Sequence, residues 1–493
     1  MINPFNHRRS GILLHPTSLP GPTPQGKLNQ EAFNYIDFLH QSKVSIWQVL
    51  PMGPTHEDAS PYQSYSCFAL NPKLLDLTVL KTWQCMPESD LASCLAANNP
   101  LQLTYQLFIT HADQAHLTLF NNFKSTQQHW LEDFALYSCI RQNHEQSSWV
   151  NWPTPLRDRA PKALAEFTHA HAVNIDLLKF EQFVLYNAWY SIKRYAALKS
   201  VAVFGDLPIF VAHDSADVWA NRRLFHLDEQ GYPLTVAGVP PDYFSANGQR
   251  WGNPHYCWQE MAKDHYAWWM QRVEHELSRY DMLRIDHFRG LESFWEIPAN
   301  EATATKGKWV KAPGKELLSL FEQRFNALPI VAEDLGIITP EVEALRDKFH
   351  LPGMKILQFA FDSDASNPYL PHNHLKNSVV YTGTHDNDTS LGWFKQLDKL
   401  TQAHCLAYLN YPKEPMPWPL IQAALASVAQ IAIIPMQDLL EADTEQRMNT
   451  PGTSEGNWHW RFQWEQLPAD LSRHIEQLNT LYGRTLNEPA VGS

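Results

Sequence analysis

Two carboxylic acids, Asp286 and Glu333, follow short apolar segments in the stretches MLRIDHFRG and PIVAEDLG. Cleavage or transfer at a glycosidic carbon needs two carboxyl groups: one ionised, to attack or to stabilise a developing positive charge, and one protonated, to donate to the leaving oxygen. An enzyme that retains the anomeric configuration holds them about 5–5.5 Å apart. Adjacent strand ends of a barrel can supply that spacing, so the pair is compatible with retaining chemistry at a sugar carbon.

The neighbours of these acids predict which of them carries the proton. Arg284 precedes Asp286 by two positions, so on a strand both side chains point to the same side. An arginine there favours the ionised form of Asp286, which predicts Asp286 as the nucleophile. Glu333 lies among apolar residues, where partial desolvation raises the pKa of a carboxyl group. Glu333 is therefore the predicted general acid and base.

A third acidic position, Asp386, follows His385 in the stretch SVVYTGTHDND. An aspartate at this place can bind sugar hydroxyls and favour a distorted ring, and the histidine can donate a hydrogen bond to the same sugar. The alternative for both residues is a structural ion pair with a nearby arginine.

A catalytic metal is the main alternative for Asp, His and Glu at strand ends. Such a site needs two or three converging ligands, often with closely spaced histidines. His15, His287 and His385 are isolated from one another in the sequence, and no H-E-x-x-H occurs. We therefore expect no metal, and no cofactor either, because the carboxyl groups alone can carry the reaction.

The aromatic residues fit sugar binding, since a pyranose stacks its apolar C–H face on Trp or Tyr while its hydroxyls bind carboxylates and amides. The chain has 18 tryptophans. Tyr62, Trp251 and Trp258 are the candidates for such stacking. Most other tryptophans, including the pair Trp268 and Trp269, are expected in the core.

The elements that must position these residues alternate between apolar strands and helices. Four strands end in acids with Gly or Pro close by, at Asp206 in VAVFGDLP, Asp286, Glu333 and Asp386, and similar runs occur in SIWQVLPMGP, MKILQFAFD and IAIIPMQD. Between them, ITPEVEALRDKF predicts a helix capped by Thr339 with Pro340 at its first position. No G-x-G-x-x-G turn typical of a doubly wound sheet is present. A barrel brings four such strand ends into one ring, so we predict an α/β fold of the (β/α)8 TIM barrel type.

The predicted organisation is one catalytic barrel over residues 1–493 with two insertions. Residues 77–172 carry amphipathic helical patterns and predict a helical insertion subdomain. Residues 233–256 are rich in Pro, Gly and Asn and predict a long loop covering the active site, or alternatively a plain surface excursion. The chain also ends too soon after the barrel to hold a separate C-terminal β-domain.

Composition narrows the partners and the compartment. There are 52 Asp and Glu against 39 Lys and Arg, with no basic run, so nucleic acid is not an expected partner. The six cysteines form no C-x-x-C pair and predict reduced thiols. The N-terminus lacks the apolar core of a signal peptide, and no apolar run is long enough to cross a membrane. We therefore expect a cytoplasmic protein without membrane contact.

At these residues the chain closely resembles the 4-α-glucanotransferases, also called amylomaltases or disproportionating enzymes, which share a clan with the α-amylases. The matching stretches run from residue 11 to about 461, nearly the whole chain: LLHPTSLPGP, WQVLPMGPT, SPYQSYSCFALNP, GDLPIFVAHDSADVW, VAGVPPDYFSANGQRWGNP, LRIDHFRG, WEIPA, AEDLG, GTHDND and RMNTPGT with NWHWR. The family is similar in lacking a separate C-terminal β-domain.

The resemblance implies a nucleophile at Asp286, an acid/base at Glu333 and a transition-state-stabilising aspartate at Asp386. It implies substrate-binding roles for Arg284, His385, Asp206, Tyr62, Asp242, Tyr243, Gln249, Trp251 and Asn387. The implied donors are maltooligosaccharides and α-1,4-glucans derived from starch or glycogen, and the implied acceptors are glucan 4-hydroxyls or glucose.

Two stretches depart from the family pattern. The chain reads THEDASPYQ before and at Tyr62, where the family usually reads near TGYGDSPYQ, and Glu57 or a neighbour replaces the usual tyrosine. The stretch PTPQGKLNQEAF lacks the usual GIGDLG-like turn. Two other functions stay open on the residues alone. A hydrolase of the same clan would keep every named acid, and a noncatalytic glucan-binding protein would need only the aromatics.

Overall fold

The computed structural model describes residues 5–241, 245–325, 327–453 and 455–486. Within these ranges it contains twelve strands, numbered along the chain: β1 Arg9–Leu13, β2 Ile46–Gln48, β3 Ala202–Pro208, β4 Thr235–Val239, β5 Gln249–Pro254, β6 Met282–Asp286, β7 Ser293–Pro298, β8 Lys308–Lys311, β9 Ile330–Ala332, β10 Gly353–Ile356, β11 Ser378–Tyr381 and β12 Ile431–Pro435.

Eight of these strands form one parallel sheet in the order β10-β11-β12-β1-β2-β3-β6-β9. The two end strands meet, because the amide of Ala332 on β9 donates to the carbonyl of Pro352 just before β10 at 2.9 Å. The sheet therefore closes on itself, and the predicted (β/α)8 barrel is confirmed.

The helices surround this barrel and build the insertions. They are α1 Gln30–Gln41, α2 Leu80–Trp83, α3 Glu88–Ala96, α4 Pro100–His111, α5 Gln114–Thr126, α6 Gln128–Asn143, α7 Thr154–Arg157, α8 Pro161–Ala170, α9 Ala172–Leu198, α10 Ala216–Ala220, α11 Trp258–Ala262, α12 Ala267–Arg279, α13 Gly314–Phe325, α14 Pro340–Lys348, α15 Ser390–Gln396, α16 Lys399–Tyr408, α17 Trp418–Ala426, α18 Met436–Leu439 and α19 Leu471–Leu481.

Alternate residues of the barrel strands face two different cores. One set packs against the helices, and the other forms a separate cluster made almost wholly of strand residues, including Phe204, Met282, Val331, Val379 and Ile433. The second cluster fills the barrel interior. Arg284 and Asp286 share the parity of Met282, so the same alternation points both side chains to the inside of the barrel mouth.

Gly11 on β1 lies where the interior leaves no room for a side chain. A Cβ at this position would come within 2.4 Å of the Ile433 side chain and 2.8 Å of the Ile46 side chain. Glycine is therefore required for β1 to pack between its two neighbours.

The helices from α2 to α8 lie between β2 and β3 in the chain, and α9 follows them. α9 is 27 residues long, and it packs both on the helices before it and on α1 and β3 of the barrel. This long helix thus joins the helical segment to the barrel.

The residues from 233 to 256, predicted as a loop, contain the two strands β4 and β5. They pair antiparallel and belong to a four-stranded sheet in the order β5-β4-β7-β8. The Pro, Gly and Asn of this segment gave no sign of these two short strands, which pair with each other, while β4 also pairs with the later strand β7. Among the described residues, none of the helices is long and apolar enough to cross a membrane.

Candidate active site

The predicted acids lie at the carboxyl ends of barrel strands. Asp206 is the fifth residue of β3, Asp286 ends β6, Glu333 follows β9 directly and Asp386 follows β11 by five residues. Because all barrel strands are parallel, these ends surround one mouth of the barrel.

Arg284 joins two of these acids. β3 and β6 pair with Asp206 opposite Arg284. One guanidinium nitrogen of Arg284, Nη1, lies 2.9 and 2.7 Å from the two carboxylate oxygens of Asp206. The other, Nη2, lies 2.9 Å from Oδ1 of Asp286. Since Arg284 and Asp206 are buried, the arginine fixes the Asp286 carboxyl group through a strong charge-assisted contact.

Glu333 is held by two backbone amides. Its Oε2 accepts from the amide of His287 at 2.6 Å and its Oε1 from the amide of Leu335 at 3.0 Å. His287 adopts φ +51°, in the left-handed region, directly after β6. The turn at the end of β6 therefore fixes the Glu333 carboxyl group beside the strand that carries Asp286.

Burial raises the pKa of both acids. It raises the pKa of Asp286 to about 8, against the opposing charge of Arg284 and with further rises from the nearby carboxylates. It also raises the pKa of Glu333, against Arg284 and the two amides. The sequence predicts that Arg284 keeps Asp286 ionised. The ion pair is present, but burial has the larger effect on the pKa of Asp286. The repulsion between the two carboxylates adds to the rise in the pKa of Asp286, so burial and repulsion together favour retention of a proton by this pair of groups.

Asp386 is the most exposed of the acids, with 46% of its side chain accessible. Nδ2 of Asn449 donates to its Oδ1 at 2.6 Å, and Nε2 of His385 lies 3.4 Å from the same oxygen. Arg447 donates to its backbone carbonyl at 2.9 Å. The carboxylate is thus oriented from one side and open to a ligand on the other.

An aromatic wall stands next to Asp386. The ring of Tyr62 stacks on His385 with 5.2 Å between centroids, and Trp458 lies 6.0 Å from Tyr62. The hydroxyl of Tyr62 donates to Asp206 at 2.6 Å. This bond ties the wall to the acid that Arg284 also holds.

Strand β5 supplies the facing wall through alternate residues. Gln249, Trp251 and Asn253 lie at every second position, and all three line the same cavity, as expected for one face of a strand. The cavity measures about 250 Å³. Its lining residues are Ser60, Tyr62, Gln63, Pro208, Ile209, Phe210, Gln249, Trp251, Asn253, Asp286, Asp386, Asn449, Pro451, Gly452 and Trp458. Aromatic faces, amides and two carboxylates make this a site for a hydroxyl-rich ring compound.

Comparison with known proteins identifies the family of this chain. The family model described as 4-alpha-glucanotransferase matches residues 14–467. The chain belongs to the 4-alpha-glucanotransferase family. All the acids named above, together with Arg284, lie inside the matched region.

Relatives in this family match along nearly their whole length. The chain is 46% identical over 500 residues to a 4-alpha-glucanotransferase of Synechocystis, covering 98% of this chain and 99% of the relative. It is 45% identical to that of Thermus thermophilus, covering 94% and 96%. Among solved structures, the amylomaltase from Streptococcus agalactiae in complex with acarbose matches with a TM-score of 0.92 and 34% identity, covering 97% of this chain and all of that one.

Several predicted residues lie away from the cavity wall or outside the described ranges. Asp242 and Tyr243 fall among the residues that the structure does not describe. The side-chain oxygen of Asn387 accepts from the amide and hydroxyl of Thr384 at 2.8 and 2.9 Å, so it braces the loop before Asp386. Trp258 packs in a cluster with Tyr256, Tyr266 and Trp269 rather than on the cavity. The ring has the size and polarity for sugar stacking, but its position on α11 directs it into the core.

The sequence interpretation gave no roles to Asn449, Trp458 and Gln63, although all three line the cavity. The signal was present, since RMNTPGT and NWHWR are among the matching stretches and Gln63 follows Tyr62 in SPYQ. Asn449 is distant in sequence from Asp386, so only the fold reveals their contact. In the described part of the chain, no group of three or more His, Cys, Asp or Glu is arranged to hold a metal ion.

Proposed function

We propose that this member of the 4-alpha-glucanotransferase family transfers α-1,4-glucan segments by a retaining double displacement, with Asp286 as nucleophile, Glu333 as general acid and base and Asp386 as transition-state stabiliser. The observation that carries the proposal is the placement of Asp286 between Arg284 and an open cavity, with the buried Glu333 held by the turn that follows it. One proton on a pair of buried carboxyl groups is the state that the first step requires.

In the first step a glucan lies across the cavity. Glu333 donates its proton to the glycosidic oxygen while a carboxylate oxygen of Asp286 attacks the anomeric carbon. The bond between that carbon and the oxygen breaks, the reducing-side fragment leaves with the proton, and a β-linked glycosyl ester forms on Asp286. Arg284 stabilises the Asp286 carboxylate before the attack, and Asp386 binds hydroxyls of the reacting ring.

In the second step Glu333 is a carboxylate and acts as base. It removes the proton from the 4-hydroxyl of an acceptor, whose oxygen attacks the anomeric carbon. The ester bond to Asp286 breaks, Asp286 returns as a carboxylate, and a new α-1,4 bond forms with retention. Gln249 and Trp251 on β5 contribute a polar and an apolar surface for the sugars.

Three observations support α-glucans as substrates. The cavity combines aromatic faces with amides and carboxylates. The amylomaltase of Streptococcus agalactiae binds acarbose, and the family name refers to α-1,4-glucan transfer. We propose maltooligosaccharides and segments of starch or glycogen as donors, and a glucan or glucose as acceptor. A cytoplasmic location is proposed on the basis of the six cysteines, all of which are free.

Incubation of the pure protein with maltotriose tests the proposal. Glucose together with a ladder of longer maltooligosaccharides, at constant total reducing ends, is the expected result. Shorter sugars with rising reducing ends would identify a hydrolase of the same clan, and unchanged maltotriose would refute α-glucan transfer. Arg324→Lys changes an exposed residue on α13 and serves as a control for differences that arise when variants are produced and purified.

A further inference from the structure

The buried residue Asp334 follows Glu333 directly and bonds to two neighbouring elements of the barrel. Its Oδ1 accepts from the amide of Met354 on β10 at 2.7 Å, and its Oδ2 lies 2.5 Å from Nη1 of Arg346 on α14. Asp334 therefore connects the end of β9 both to the next barrel strand and to the helix that links the two strands.

This connection lies where the barrel closes. β9 and β10 are the two end strands of the sheet, and the backbone bond from Ala332 to Pro352 joins them. The bond from Met354 to the Asp334 side chain continues that join one step further toward the mouth. Gly353 permits it, because a Cβ there would lie 2.3 Å from Oδ2 of Asp334.

Arg346 is held in place from two sides. Only 13% of its side chain is accessible, and it also bonds to Asp347 at 2.8 Å through Nε. A planar guanidinium can meet both carboxylates at once, which a lysine cannot do with the same geometry. The backbone of Glu333 bonds to β6 and the turn after it, through the carbonyl of Ile285 and the amide of Phe288. The Asp334–Arg346 pair holds the next residue of the chain, from the side of β10 and α14.

We propose that Asp334 and Arg346 are positioning residues for the acid/base Glu333, setting the aim of its carboxyl group at the glycosidic oxygen. The inference rests on the proposed role of Glu333. A general acid must lie within hydrogen-bond reach of the oxygen that it protonates, and a displacement of about 1 Å can lower a rate by about 100-fold. The nucleophile Asp286 is held directly by Arg284, so we expect its position to change less than that of Glu333 when the Asp334–Arg346 pair is loosened.

Measurements with two different donors distinguish a role in positioning Glu333 from a general role in the stability of the fold. Maltotriose needs a proton on its leaving oxygen, whereas α-maltosyl fluoride releases fluoride without one. For both donors kcat/KM reports formation of the glycosyl-enzyme. In Asp334→Asn, we expect kcat/KM to fall about 10- to 100-fold for maltotriose and less than about 3-fold for the fluoride. Arg346→Lys should show the same selectivity with a smaller loss, and it keeps the test available if the first variant fails to fold.

Glu343→Gln is the matched control, since it neutralises an exposed carboxylate on the same helix α14 and leaves Asp334, Arg346 and Asp347 intact; it should change neither value. Equal losses with both donors, or no loss with either, would overturn the proposal. Glu333→Gln is measured in parallel. If that variant is itself not selective for maltotriose, the role proposed for Glu333 fails, whereas selectivity in Glu333→Gln but not in Asp334→Asn and Arg346→Lys refutes only the positioning role.

Discussion

Nη2 of Arg284 lies 2.9 Å from Oδ1 of Asp286, while Nη1 of the same guanidinium binds both oxygens of Asp206. One arginine thus serves two acids on neighbouring strands. A lysine has a single ammonium group and cannot hold both carboxylates in this geometry. Arg284→Lys should lower kcat/KM for maltotriose by about 100-fold or more, measured by glucose release, while Arg324→Lys on the surface should leave it unchanged. Near-normal activity in Arg284→Lys would show that the clamp is dispensable.

The raised pKa values predict a bell-shaped dependence of kcat/KM on pH. Activity requires one proton on the pair Asp286 and Glu333, so it falls at low pH when both are protonated and at high pH when both are ionised. Burial raises the pKa of both carboxyl groups, so the alkaline limb is expected at a higher pH than a solvated carboxyl group would give.

The charge of Asp206 contributes to that rise in the pKa of Asp286. Asp206→Asn removes the charge and leaves Arg284 to act on Asp286 alone, so the alkaline limb should move to lower pH. The measurement is kcat/KM for maltotriose from pH 4 to 10 in both proteins. A limb that stays in place or moves upward contradicts this electrostatic account.

Stability should change in the opposite sense to activity when Asp286 is replaced. The folded protein raises the pKa of this carboxyl group from 3.8 to about 8, so the unfolded chain releases the proton first. Asp286 therefore lowers the free energy of unfolding by a growing amount as the pH rises from about 4 to about 8. Above about pH 8 this loss of stability no longer changes. Asp286→Asn does not titrate. Its melting temperature should exceed that of the parent protein by a few degrees at pH 8 and by less at pH 5. Equal melting curves at both pH values would mean that Asp286 is not under electrostatic stress.

Much of the barrel was predictable because its strands are continuous apolar runs. Seven of the eight barrel strands follow from such runs, and the acids at their ends point to the mouth of the barrel. The first strand, β1, was not predicted because it is not a continuous apolar run. It begins with the polar residues Arg9 and Ser10, which are buried, and it contains Gly11 because a side chain there would clash with the neighbouring strands. Its place in the sheet depends on packing between strands distant in sequence, which a local pattern cannot show.

The site was predictable to the same extent. Arg284 beside Asp286 follows from the alternation of a strand. The bond from Asn449 to Asp386 joins residues 63 positions apart. Strand β4 pairs on one side with β7, which lies about 60 residues further along the chain, and a local pattern cannot show that partner. Trp258 shows the converse, because a suitable residue type lies on an element that directs it into the core.

Asn449 orients the carboxylate of Asp386 through its bond at 2.6 Å. Asn449→Ala should lower kcat about 10-fold with a smaller change in KM, since Asp386 acts mainly in the transition state. Asn449→Asp should lose more, because it adds a like charge beside Asp386. Asn457 bonds to Thr450 and Thr453 in the same segment. Replacing Asn457 with Ala therefore shows how much activity is lost when only the structure of this loop is disturbed. If Asn449→Asp is the more active of the two variants, the assigned contact is not the one that matters.

The central claim is a covalent intermediate on Asp286, and trapping it tests that claim most directly. In Glu333→Gln, α-maltosyl fluoride can glycosylate the nucleophile, but the base that completes transfer is missing, so the ester should accumulate. The donor is used in a form that lacks the non-reducing 4-hydroxyl, because that hydroxyl would let one donor molecule act as the acceptor for another. Proteolysis and mass spectrometry should place the maltosyl group on the peptide containing Asp286, and Asp286→Asn combined with Glu333→Gln should carry no label. A label on another carboxyl group, or its persistence in the double variant, would contradict the mechanism.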